Sequence, residues 1–109
     1  MIKILYIVFM VILINSNSIA NNHKVDCIIL EDENSIICKY IQTRVSYDKT
    51  VIFEWINPSG EISRTRELII PAGHGSLYDY RYIQGRSLGV WTFRVIDDTK
   101  EYKTNFTIK

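Results

Sequence analysis

Histidine, cysteine, proline and net charge are all scarce in this 109-residue sequence. It contains two residues each of His, Cys and Pro, and its formal net charge is +1. So small a charge argues against a general nucleic-acid binder, which needs a strongly basic surface. Two histidines are too few for a conventional multi-histidine zinc site, and a chain this short cannot hold a cofactor domain beside a substrate domain. We therefore expect one small domain with no cofactor.

Long apolar runs are missing as well, except near the amino terminus. Lys3 precedes eleven apolar residues at 4–14, and a polar stretch follows that closes with Ser18 and Ala20. A membrane span needs roughly twenty apolar residues, so this run indicates an export signal rather than an anchor. We expect a signal peptide at 1–20 and a β-domain at 21–109, either periplasmic or secreted. Membrane contact is expected only through the uncleaved signal.

The two cysteines, Cys27 and Cys38, flank a segment with two apolar arms and a polar centre. This segment predicts a β-hairpin that turns near 32–33 and sets the cysteines opposite each other. Because export places them where disulfides persist, we expect a Cys27–Cys38 disulfide. A redox or metal-binding thiol pair is the alternative, but the C-x-x-C spacing is absent.

From residue 25 onward, β-branched and aromatic residues alternate with polar ones, and no helical repeat is sustained. The pattern predicts an all-β fold in which seven antiparallel strands pack as a sandwich. Alternation also predicts a core around two tryptophans and three phenylalanines. The predicted strands are 25–30, 35–47, 50–57, 61–70, 77–84, 88–97 and 101–108. The predicted core residues are Trp55, Trp91, Phe53, Phe93 and Phe106.

Three tyrosines alternate along the fifth predicted strand. Tyr78, Tyr80 and Tyr82 share one face, and Asp79 and Arg81 share the other. Because a sandwich needs this strand to contribute to its core, we expect the rings to face inward and the charged side chains to face water. The alternative is an exposed aromatic strip for recognition, since tyrosine combines a broad contact area with a polar tip.

Three segments resemble bacterial exported immunoglobulin-like and fibronectin type III-like domains. FEWINPSG at 53–60 is an aromatic strand ending in a Pro-Gly turn, GVWTFRV at 89–95 is a G-x-W strand, and NFTI at 105–108 is an aromatic closing strand. The resemblance covers about the last sixty residues. It implies an immunoglobulin-like sandwich with an adhesion, assembly or accessory role. In true immunoglobulin domains the cysteines join two sheets, whereas here they lie in one hairpin.

Two groups of residues are candidate partner contacts. Arg64 and Arg66 share one strand face, where they can bind an acidic partner or a glycan phosphate through bidentate hydrogen bonds. The alternative is a solvated strand face that discourages aggregation. The second group is a loop on a rigid scaffold, a common place for partner contact. Its residues are Gly73, His74, Gly75 and Ser76.

The predicted mature terminus, Asn21-Asn22-His23, offers a metal site. A free α-amine, the next two backbone nitrogens and an imidazole can form a square-planar site for Cu(II) or Ni(II). This arrangement requires cleavage after Ala20. The alternative is a disordered polar terminus.

The sequence carries no decisive catalytic signature. His74, Ser76 and Asp79 lie near one another in sequence, but proximity supplies neither a positioned base nor an oxyanion site. The interpretation that fits the sequence best is an exported, non-catalytic binding or assembly module of the bacterial cell envelope. Its expected partner is an envelope or extracellular protein. A periplasmic Cu(II)- or Ni(II)-binding protein and a small secreted hydrolase are the alternatives.

Overall fold

The computed structural model describes residues 23–109. Asn21, Asn22 and the predicted signal peptide lie outside these described residues. Within residues 23–109, seven strands are present, as predicted, together with one short 3₁₀ turn. Their bounds are β1 Lys24–Leu30, the 3₁₀ turn Glu31–Glu33, β2 Ser35–Ile41, β3 Lys49–Ile56, β4 Ile62–Ile70, β5 Ser76–Tyr82, β6 Gly89–Asp97 and β7 Lys100–Ile108. Within this part of the chain, no helix is long and apolar enough to cross a membrane.

The strands form two antiparallel sheets, which confirms the predicted all-β sandwich. The first sheet has the order β1-β2-β5, and the second has the order β4-β3-β6-β7. Strand β1 packs against β7 and closes one side of the sandwich. The free edges on the other side are therefore β4 and β5. Side chains fill the space between these two edges.

Strand β2 is shorter than predicted, because the chain leaves the first sheet after Ile41 to reach the second. Residues 42–48 form the crossover. Their composition is typical of a strand, and for this reason the predicted strand extended to residue 47. The crossover is held by the connection between β4 and β5. Gln42 N donates to Gly75 O at 2.9 Å, and Gly73 N donates to Val45 O at 2.8 Å. A two-sheet fold needs such a crossover, and this requirement overrides local strand propensity.

The core lies between the two sheets, and all five predicted aromatic core residues are buried in it. The Trp55 ring meets Phe93 and Phe106 edge-on, with centroid separations of 5.2 and 5.8 Å. Edge-to-face contacts of this kind are favourable beyond their buried area. Strand β3 lies inside its sheet, since it pairs with β4 on one side and β6 on the other.

The β1–β2 hairpin has the predicted register. Cys27 pairs with Cys38, and Leu30 pairs with Ser35. The predicted Cys27–Cys38 disulfide is formed, with an S–S distance of 2.09 Å. Asn34 closes the turn in the left-handed conformation at φ 53°, which asparagine tolerates better than most residues. A disulfide is compatible with a periplasmic or extracellular location.

Two of the segments behind the family resemblance touch each other. Gly89, at the start of β6, has φ +123°, and a Cβ atom there would lie 3.1 Å from the Cβ and Cγ atoms of Pro58. The Pro-Gly turn and the G-x-W strand therefore pack together at one end of the sandwich. Only glycine fits this backbone conformation and this close approach.

Candidate functional site: a tyrosine strip beside an arginine groove

The three tyrosines of β5 face solvent, so the prediction that they line the core is wrong. Tyr78, Tyr80 and Tyr82 are 64, 53 and 59% exposed. The same prediction placed Asp79 in water, and this is wrong as well, because Asp79 is only 3% exposed. Arg81 is half-buried. The three exposed rings are called the tyrosine strip below.

The pairing of β5 with β2 explains why the rings point outward. In an antiparallel pair, directly opposed residues lie on the same face of the sheet. Asp79 pairs with Cys38, which is fully buried, while Tyr78 pairs with the exposed Lys39. The inward face of β2 thus sets the inward face of β5. Two of the inward residues of β5, Asp79 and Arg81, are charged, and the strand tolerates them because it lies at a sheet edge.

The tyrosine strip continues into an apolar row across the outer face of the first sheet. Tyr80 pairs with Ile37, which in turn pairs with Ile28. Ile28 is 52% exposed. The rings of Tyr80 and Tyr82 also meet edge-on, with centroids 6.2 Å apart. A contiguous exposed aromatic and aliphatic surface of this kind typically marks an interaction site.

On the opposite face of β5, the buried Asp79 ties the two sheets together. Its Oδ2 accepts a hydrogen bond from Trp55 Nε1 at 2.9 Å. Its Oδ1 accepts one from Arg66 Nη1 at 2.8 Å, and Arg64 Nη1 lies 3.9 Å from Oδ2. A buried carboxylate requires such partners to offset the loss of hydration. Asp79 therefore has a structural role at the base of the site.

Four arginines line a groove between the edges of β4 and β5. The groove has a volume of about 670 Å³. Its residues are Ser63, Arg64, Arg66, Asp79, Tyr80, Arg81, Tyr82 and Arg86. This arginine groove adjoins the tyrosine strip, because Tyr80 and Tyr82 belong to both. Four guanidinium groups against one carboxylate leave it strongly positive, although the whole chain is almost neutral.

Arg81 and Arg86 have no carboxylate within 4 Å among the described residues. Arg81 instead lies over the Trp55 ring at 5.5 Å and donates through Nη1 to Ser63 Oγ at 3.1 Å. Burial, followed by the positive charges of Arg86 and Arg64, lowers the pKa of Arg81 below its ordinary value. The Nε of Arg86 is buried and meets no acceptor in the described part of the protein. The groove thus holds positive charge that the protein itself does not neutralise.

The predicted contact loop lies away from the groove. Gly73 to Ser76 follow the end of β4, whereas the groove is built by the start of β4 and the end of β5. The loop and Arg44 line a separate depression of about 330 Å³. His74 is exposed, and no described hydrogen bond joins its ring to Ser76 or Asp79. The structure therefore does not bring the hydrolase candidates together.

His23 is the one member of the predicted metal site within the described residues. Its ring stacks on Tyr102 with centroids 5.1 Å apart and an interplanar angle of 10°. It also lies 6.1 Å from the ring of the buried Tyr40. Within residues 23–109, no group of three or more His, Cys, Asp or Glu side chains is arranged to hold a metal ion.

Sequence reasoning selected Arg64 and Arg66 but missed the residues that complete the groove. Asp79 and Arg81 alternate with the tyrosines, and this alternation was assigned to the wrong faces. The sequence did contain a signal for the correct faces. Charged residues alternate along β5 as Arg64 and Arg66 do along β4, so both sets can lie on inner faces that meet across the sandwich. Arg86 lies in a connection whose path depends on the whole fold.

Comparison with known protein families and with curated proteins gives no match for this chain. Its function is therefore inferred from the chemistry of the site.

Proposed function

We propose that this protein is an exported, non-catalytic binding or assembly module of the bacterial cell envelope. It captures an envelope or extracellular protein through the tyrosine strip, and the adjoining arginine groove attracts acidic groups beside that contact. The exposure of three consecutive outward tyrosines carries this proposal. A sheet that needed only a solvated face would place polar residues there.

The composition of the surface supports protein recognition. Tyrosine and arginine are enriched in the energetically dominant parts of protein interfaces. Tyrosine loses little conformational entropy on binding, because its side chain has only two rotatable angles. The row from Tyr80 through Ile37 to Ile28 adds apolar area at the centre of this face. The arginines then form a charged border along one side.

The strand order supports an immunoglobulin-like or fibronectin type III-like architecture for the module, and the position of β4 distinguishes it from the constant type. In constant-type immunoglobulin domains, the fourth strand joins the sheet of the first, second and fifth strands. Here β4 instead pairs with β3, on the side where variable-type domains add strands. Such sandwiches commonly present binding surfaces on a rigid scaffold. The intra-hairpin disulfide and the predicted export signal support a periplasmic or secreted location.

Retention of a partner from the envelope fraction of the source organism tests the proposal. The purified protein is immobilised, and retained proteins are quantified by mass spectrometry for the wild type and for Tyr80→Ser. Loss of a central interface tyrosine is expected to reduce retention of the partner about fivefold or more. Retention by the wild type is expected to fall as salt is raised, because the arginines act through screened charge.

Tyr47→Ser is the matched control, since Tyr47 is 60% exposed and lies outside the tyrosine strip. Both variants are expected to unfold at temperatures close to that of the wild type, because exposed substitutions have small effects on stability. Equal retention by the two variants would show that the strip is not the contact. Failure of the wild type to enrich any protein at low salt would refute the proposed function.

A further inference from the structure

We infer that the arginine groove is a binding site for a phosphate group, either free or carried as a phosphomonoester on a larger molecule. Phosphate binding here requires no protein partner. It can therefore be tested separately from the capture of a protein by the tyrosine strip. The groove suits a phosphate in its uncompensated charge, its hydrogen-bond donors and its size.

The charges of the groove match a dianion better than a single carboxylate. Asp79 already accepts from Arg66 and lies near Arg64. Arg81 and Arg86 remain without a carboxylate partner in the described part of the chain. A phosphomonoester carries a charge of about −1.5 to −2 at neutral pH, so it would neutralise both of these guanidinium groups. One carboxylate would leave one of them unpaired.

The hydrogen-bond donors of the groove point to the same ligand. Guanidinium groups offer several N–H donors in a planar fork, which suits the three acceptor oxygens of a phosphate. Arg81 uses its Nη1 on Ser63 Oγ, and Arg64 uses its Nη1 on Tyr80 O at 3.3 Å. Each guanidinium has further donors beyond these contacts. Side-chain exposures of 36% for Arg64 and 41% for Arg66 leave the groove accessible.

The groove also has room for a ligand larger than inorganic phosphate. Its volume of about 670 Å³ lies within the range of pockets that hold small organic molecules. Tyr80 and Tyr82 line the groove beside the charged groups. A sugar or glycerol unit that bears the phosphate can pack against these two residues. The phosphate itself is the chemistry that all such ligands share.

Titration calorimetry of the purified, disulfide-bonded protein in a low-salt buffer tests the inference. The probes are inorganic phosphate, glycerol phosphate and succinate, and vesicles of phosphatidylcholine with or without phosphatidic acid are tested by cosedimentation. Saturable binding of the phosphate probes is expected, with succinate weaker. Similar binding of free phosphate and glycerol phosphate would identify a soluble ligand, whereas preference for phosphatidic acid vesicles would identify a lipid headgroup.

Arg86→Gln removes one uncompensated guanidinium without touching the contacts of Asp79, and it is expected to weaken phosphate binding about tenfold or more. Lys103→Gln, on the distant strand β7, removes the same charge and is expected to change binding less than about twofold. Arg86→Lys, which keeps the charge but loses the fork, serves as the second variant if Arg86→Gln does not fold. Equal losses in Arg86→Gln and Lys103→Gln, succinate binding as tight as phosphate, or no saturable binding of any phosphate probe would overturn the inference.

Discussion

At the residue scale, one carboxylate oxygen of the buried Asp97 links the two sheets across the core. Tyr40 of the first sheet donates its hydroxyl to Asp97 Oδ2 of the second at 2.6 Å. Lys49 Nζ lies 2.9 Å from the same oxygen. Burial, followed by the hydrogen bond and charge of Asp97, raises the pKa of Tyr40 well above its ordinary value. The neutral phenol is therefore strongly preferred in the folded protein.

This preference predicts a pH-dependent role for Tyr40. Tyr40→Phe is expected to lower the free energy of unfolding by about 1.5–3 kcal/mol at neutral pH, because Asp97 loses a hydrogen bond. In the unfolded chain Tyr40 ionises near pH 10, so its contribution is complete below about pH 10 and declines above it. Denaturant unfolding should therefore show a smaller difference in the free energy of unfolding between wild type and Tyr40→Phe at about pH 11 than at neutral pH. Tyr47→Phe, at an exposed site, should follow the wild type at both pH values. A difference in the free energy of unfolding that increases with pH would contradict this account.

At the element scale, the β1–β2 hairpin depends on a covalent link as well as on packing. Its strands have seven residues each, and β1 lies at an edge of the smaller sheet. The outer residues of β1 contribute little to the core, since Ile28 is 52% exposed. The disulfide joins residues eleven apart, so it restricts the unfolded chain over a short loop. The contribution of the disulfide to the free energy of unfolding therefore depends on that loop length.

Replacing both Cys27 and Cys38 by alanine is expected to lower the free energy of unfolding by about 3 kcal/mol, on the chain-entropy estimate for a loop of this length. Chemical unfolding of the wild type with and without reductant measures the same quantity independently. Reductant should leave the double-alanine variant unchanged. Coincident unfolding curves for oxidised and reduced wild type would show that the disulfide does not stabilise the fold.

At the scale of the whole molecule, the two sides of the sandwich are joined by different means. On one side, strand β1 packs directly against strand β7. On the other side, Asp79 reaches from the first sheet to Trp55 and Arg66 of the second. The arginine groove lies over this junction. The polar contacts that hold the open side together are therefore also the base of the proposed binding site.

Asp79→Asn tests this junction, because asparagine keeps an acceptor for Trp55 but loses the charge that pairs with Arg66. We expect the free energy of unfolding to fall by about 1–3 kcal/mol, less than for a fully buried pair because Arg66 is partly solvated. Asp26→Asn, at an exposed site on β1, should change it by less than about 0.5 kcal/mol. Denaturant unfolding of both variants measures the difference. Equal stability of the two variants would mean that the junction contributes nothing to sheet docking.

Local patterns in the sequence were sufficient to predict seven strands, the core around Trp55 and Trp91, and the disulfide. Side-chain alternation, turn residues and hairpin spacing each act over a few neighbouring residues, so they can be read along the chain. The orientation of β5 could not be read in this way, because both of its faces carry residues that a sandwich can bury. Pairing with β2 decided it, through the partnership of Asp79 with Cys38.

The arginine groove likewise depends on contacts between distant parts of the chain. The shared face of Arg64 and Arg66 followed from alternation within one strand. Their meeting with Asp79 and Arg81 required β4 and β5 to lie in different sheets with facing edges, and Arg86 joined them through the path of a connection. Register and sheet packing arise from the free energy of the whole core, so the groove exists only once the two sheets have docked.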